Sequence, residues 1–174
     1  MAKNHYIDNK LFLVHMTEYR AAVDVAKAED KKKPQIPRYV AEAFMKIAEN
    51  LSHKPNFLSY SFRDEMVADA IENCVMYASN FDPKKSSNPF AYFTQIAYYA
   101  FLRRIHREKK QLYVKYKSTE QAGIMDEFEQ LESDDGQTRQ FEMYENISEF
   151  IENFETAKKN KKLKKMNLEK FVEE

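Results

Sequence analysis

Glycine is almost missing from this chain: two residues in 174, neither of them before Gly123. Phosphate-cradling loops, dinucleotide fingerprints and two-residue hairpin turns need backbone at positive φ or within close reach of a ligand, so an enzyme built on a Gly-rich loop is excluded. Tryptophan is absent, and a single cysteine, Cys74, leaves no internal disulfide framework and suits a reducing compartment. No apolar run approaches the roughly 18 residues that span a bilayer. The opening residues MAKNHYIDNK carry no signal-like apolar stretch. A cytoplasmic protein with no membrane partner is expected.

Net charge is lacking too, with 28 Lys and Arg against 28 Asp and Glu. The balance conceals opposed blocks. Residues 1–97 carry +1, residues 98–119 carry +6, residues 120–155 carry −11 and residues 156–174 carry +4. Such blocks are the pattern of polyelectrolyte partners and of tails. What the chain has in quantity is aromatic: 13 Phe and 11 Tyr within a 43% hydrophobic composition, enough for one core of about 100 residues.

Because Gly and Pro are few, the breaks between helices stand out. Asn9 to Ala28 is Ala-rich and helix-prone and ends in Glu29-Asp30-Lys31-Lys32-Lys33-Pro34. Pro37 to Leu51 places Val40, Phe44, Ile47 and Leu51 on one helical face, and His53-Lys54-Pro55-Asn56 breaks it. Ser61-Phe62-Arg63-Asp64 reads as a capping start to a helix reaching about Ser79. Phe62, Met66, Ala70, Asn73/Cys74 and Tyr77 form its apolar face. On another face Glu65, Asp69 and Glu72 make an acidic stripe with no basic residue to pair it. Asn88-Pro89 opens a long helix to about Lys115, with Asn at the cap and Pro at the first helical position. A weaker helix is expected near 140–156.

Catalytic and metal-binding options are poor. His5, His15, His53 and His106 are scattered, with no metal-ligand spacing. Cys74 sits on an apolar helix face without a base and reads as structural. The acidic run 126–135 lacks the ligand spacing and turn glycine of a calcium loop. No cofactor, no metal and no catalytic residue is expected, and the protein is read as not an enzyme.

The long helix carries the functional signal. Phe90, Phe93, Ala97, Ala100/Phe101 and Ile105 make one continuous apolar face, which leaves Tyr92, Tyr98 and Tyr99 over. Arg103, Arg104, Arg107, Lys109 and Lys110 follow. Aromatic faces beside a cluster of cations are the composition of a single-strand nucleic-acid surface, where bases stack on rings and cations hold phosphates. An extensive core with a solvated basic helix end accounts for the same composition.

The stretch from Phe62 to Ile105, with Asn80-Phe81-Asp82-Pro83 as its turn and Phe90-Ala91-Tyr92-Phe93 leading into Arg103-Arg104, resembles the second conserved region of bacterial sigma factors. The likeness is closer to the late-transcription sigma factors of T-even-type bacteriophages, through Asp64-Glu65-Met66-Val67-Ala68-Asp69, Asn80-Phe81-Asp82, Asn88-Pro89 and Ala91-Tyr92-x-Thr94-Gln95. The likeness covers about residues 36 to 117 and, more weakly, the last seven residues. It implies an all-α fold: an N-terminal helical segment (1–35), a compact region-2-like domain (36–117), an acidic, partly disordered segment (118–157), and a basic linker with a terminal motif (158–174).

The resemblance also implies partners. Glu65, Asp69 and Glu72 would dock on the clamp helices of the largest subunit of host RNA polymerase core. Phe93 matches an aromatic that stacks on an extruded promoter base, with Tyr92, Ile96, Tyr98 and Tyr99 nearby. Arg103, Arg104, Arg107, Lys109 and Lys110 would meet promoter phosphates. Leu168, Phe171 and Val172 resemble a terminal motif that binds the phage sliding clamp, and a late co-activator belongs to the same assembly. The expected function is transcription initiation: recognising and melting AT-rich late promoters in the cytoplasm of an infected bacterial host. The tryptophan pair of primary sigma factors is absent, with Ile96-Ala97 in its place, and no helix-turn-helix follows. A general single-stranded nucleic-acid binding module is the alternative, and a helical adaptor for proteins alone is a third.

Overall fold

The structure, a computed structural model, describes residues 6–122 and 146–161. Among these residues the fold is all-α, with no strand. Six helices appear in order: α1 (Asn9–Ala28), α2 (Arg38–Ser52), α3 (Pro55–Leu58), α4 (Arg63–Tyr77), α5 (Pro89–Gln121) and α6 (146–161), with a 3-10 turn at Ala78–Asn80 after α4. The acidic stretch 123–145, the terminal motif Leu168, Phe171 and Val172, and the disorder expected of the C-terminal segment fall outside the described residues.

Local chemistry explains most boundaries. Asp8 caps α1, its carboxylate accepting from the N–H groups of Lys10 at 2.9 Å and Leu11 at 3.2 Å. With no glycine to end that helix, Asp30 takes the left-handed conformation at φ 52, which Asp tolerates better than most residues. Asn88 caps α5 as its sequence suggests, accepting from Ala91 N–H at 3.0 Å, and Pro89 is the first helical residue. Ser61 does not cap α4. The cap position belongs to Phe62, and no side chain bonds the first turn there. The expected break at Pro55 holds a short helix of its own, α3, because Pro suits a first helical turn and Phe57 inserts into the core.

The chain divides into two compact units, Met1–His106 and Arg107–Glu174. In the first, one hydrophobic core gathers Phe12, Met16, Tyr19 and Val23 from α1, Val40, Phe44, Ile47 and Leu51 from α2, Met66, Ala70 and Cys74 from α4, and Phe93, Ala97, Phe101 and Ile105 from α5. α1 shares this core: Phe12 meets Phe44 and Phe93 at ring separations of 6.2 and 5.7 Å. The boundary between the units lies inside α5, between His106 and Arg107. In the second unit α6 packs on the far half of α5 through Ile147 and Ile151, with Tyr113 and Tyr116 beside them.

Candidate polymerase- and nucleic-acid-binding surfaces

In the first unit, α4 and α5 present the side chains that the sequence singles out. Glu65 and Glu72 are solvent-exposed on α4. Asp69 is not the unpaired carboxylate that its helix alone suggests. Its Oδ2 lies 3.2 Å from Arg104 Nε, and the two side chains keep only 24% and 17% of their exposure. One turn on, Arg103 donates to Asn73 Oδ1 at 2.7 Å, while the Asn73 amide donates to the Asp69 carbonyl at 2.6 Å. Arg104, expected at promoter phosphates, and Asp69, expected at a protein partner, thus hold α4 to α5. Helix periodicity cannot show this, because the pair joins two helices.

Phe93 corrects a second expectation. It is fully buried, 4.5 Å from the Phe44 ring and 6.0 Å from Phe81. Its carbonyl accepts from the Cys74 thiol at 3.8 Å. A ring enclosed on every side cannot receive a base, so the core assignment of this position stands and the stacking role does not. Tyr92 is half-buried, edge-on to Phe81 at 5.4 Å, and burial pushes its hydroxyl pKa up. Ile96 is half-buried against the same core.

Tyr98 and Tyr99 are the rings that α5 leaves open, 40% and 50% exposed. They meet edge-to-face at 6.0 Å, and Tyr98 is held from below by Phe57 at 5.7 Å. Beside them lies a shallow groove of about 610 Å³, walled by Phe90, Thr94 and Gln95 of α5 and by Lys54 from the turn between α2 and α3. Sequence reading missed Lys54, which it placed in a break. Thr94 and Gln95 enter the sequence reading only as motif positions with no role assigned, although their i, i+4 spacing to Tyr98 and Tyr99 puts each pair on one face.

No protein-family model matches the chain, and a search of curated proteins finds no significant relative. The resemblance to sigma factors therefore rests on the residues themselves.

Chemically, this surface suits recognition. Two rings with open faces, an amide and a hydroxyl on one wall and an ammonium at the rim can stack on a base, read its edge and attract its phosphate. Among the described residues no group of His, Cys, Asp and Glu assembles as a metal set, and no helix is long and apolar enough to cross a membrane. Cys74 is buried, and desolvation raises its thiol pKa to about 12. Of the remaining candidate cations, Arg107, Lys109 and Lys110 belong to the second unit and are exposed on α5.

Proposed function

We propose that the chain is a phage-type sigma factor that binds host RNA polymerase core in the bacterial cytoplasm and melts AT-rich late promoters, without enzymatic chemistry of its own. The observation that carries this reading is the presence on consecutive helices of two different open surfaces: carboxylates Glu65 and Glu72 on α4, and the Tyr98/Tyr99 pair with its groove on α5. One suits a basic protein helix; the other suits unpaired bases. Flipping a base out of a duplex costs a few kcal/mol, and stacking it on an aromatic ring returns about 1–3 kcal/mol. AT-rich steps deform most readily, so capture of unpaired bases drives opening there. In this reading Tyr98 and Tyr99 take the role that the resemblance implies for Phe93. Leu168, Phe171 and Val172, behind their lysine-rich linker, would tether the complex to a sliding clamp and raise the effective concentration of a weak promoter contact to about millimolar.

The test is co-purification with core polymerase. Glu72→Lys reverses an exposed charge without touching the Asp69–Arg104 pair and should weaken the complex while the fold persists; unchanged affinity removes the docking assignment. The Tyr98/Tyr99 groove alone also favours a second reading, a general single-stranded nucleic-acid binding module. Such a module binds oligonucleotides tightly with no polymerase present.

A further inference from the structure

The far half of α5 repeats, within the second unit, the composition that marks its near half. Tyr113 and Tyr116 lie among Lys109, Lys110, Lys115 and Lys117, yet α6 packs on both rings and leaves them only partly exposed. The way they are covered is specific. Phe154 stacks on Tyr113 with centroids 4.4 Å apart and planes inclined by 18°, nearly parallel. The second ring contact between α5 and α6 among the described residues is not parallel: Phe150 meets Tyr116 edge-to-face, at 5.5 Å and 89°. The neighbouring carboxylate of Glu155 accepts from the Tyr113 hydroxyl at 2.9 Å and lies 3.6 Å from Lys117 Nζ. Lys117 also pairs with Glu120 at 2.7 Å, so its ammonium is neutralised from two sides.

A flat ring stacked on tyrosine, followed by an anion held by a hydroxyl and an ammonium, is the arrangement a base and its phosphate would make on the same side chains. We propose that Tyr113, Tyr116 and Lys117 form a second single-stranded nucleic-acid site, which α6 occludes by imitating the ligand: Phe154 in place of a base, Glu155 in place of a phosphate. α6 is then a built-in competitor: it belongs to the same chain as the basic stretch, which keeps Phe154 and Glu155 at high effective concentration on their own helix. Among the described residues the apolar part of this interface is small, two isoleucines and four rings, as a cover that must come away requires. This inference rests on the nucleic-acid part of the reading above, and its test contains no polymerase, so the two fail separately.

The experiment measures binding of a fluorescent oligothymidine to the full chain at fixed salt. Ile147→Asp with Ile151→Asp removes the apolar hold of α6 and leaves α5 unaltered. If the open state is a minor one, populated at about 10% or less, uncovering the site should tighten binding by at least about tenfold. Adding Tyr113→Ala to that variant should abolish the gain. Slow reaction of Cys74 with a thiol reagent verifies that the first unit is still folded. Amide exchange on the unaltered chain gives a second readout: saturating oligothymidine should speed exchange across 146–161. Affinity that does not change on opening overturns the inference. So does a gain that survives Tyr113→Ala, which would mean only relief of charge repulsion, or exchange at 146–161 that ignores the oligonucleotide.

Discussion

Phe93→Ala distinguishes a core ring from a base-capturing one by magnitude. The side chain has no exposure and packs against Phe12, Phe44, Phe81 and Tyr92. Truncating a fully buried Phe removes its transfer free energy and leaves a cavity, a loss of about 3–5 kcal/mol. Total stability of a domain is only about 5–15 kcal/mol. At about 4–8 °C per kcal/mol for a domain of this size, the unfolding midpoint should fall by roughly 12–40 °C. Tyr98→Ala and Tyr99→Ala act in the opposite sense. These rings are 40% and 50% exposed, so each substitution should shift stability by only about 0.5 kcal/mol. Each should remove about 1–3 kcal/mol of base stacking, a roughly 5- to 150-fold loss in capture of unpaired bases. Circular dichroism on heating, with Cys74 exposure marking the first unit, gives the stability side. Permanganate reactivity of unpaired thymines in a polymerase–promoter complex gives the functional side. A Phe93→Ala protein with an unchanged midpoint and failed opening would refute the burial argument and restore Phe93 as the stacking ring.

Arg104→Met should destabilise the first unit by about 1–3 kcal/mol, between the values for exposed and buried ion pairs, because it leaves Asp69 half-buried without its partner; an unchanged urea midpoint would count against the clasp. Cys74, with its thiol pKa near 12, should resist thiol reagents at pH 8 in the native state and react promptly in denaturant. In the second unit the Tyr113 hydroxyl holds the Glu155 carboxyl below its ordinary pKa, so that contribution to stability is full above the unfolded carboxylate range near 4.3 and is lost as pH falls through the lower folded value. The Tyr113 hydroxyl is raised by the same hydrogen bond and Lys117 by its bond to Glu120, so their contributions are full below about pH 10 and fade as pH rises through the folded values. Amide exchange of 146–161 against pH should show protection lost at both extremes, and loss confined to neutral pH would contradict this.

The elements were largely legible because they depend on local signals. Asn88-Pro89 sets the start of α5, and the charged run after Ala28 sets the end of α1. Helix periodicity also places Val40, Phe44, Ile47 and Leu51 in the core. Pairings between helices were not legible. Nothing in the spacing of Glu65, Asp69 and Glu72 reveals that Asp69 meets Arg104, or that Asn73 meets Arg103, since each partner lies on another helix. Phe93 received two incompatible readings because apolar periodicity assigned it to the core and position within a motif assigned it to a base. The structure decides for periodicity. Lys54 joins the groove only through the turn before α3, a helix that Pro55 starts although a proline in sequence reads as a break.

The Asp69–Arg104 pair also has a bearing on counterions. A cation already neutralised by a carboxylate releases no condensed ion when the protein meets DNA. Under the proposed function, each further cation placed on a phosphate steepens the slope of log affinity against log salt by about 0.9, so Arg104 retained by Asp69 makes the slope shallower by that amount. Under that proposal salt dependence reports on the joint between α4 and α5: a slope steeper by about 0.9 than the one that Arg104→Met leaves means that Arg104 has left Asp69 for the nucleic acid.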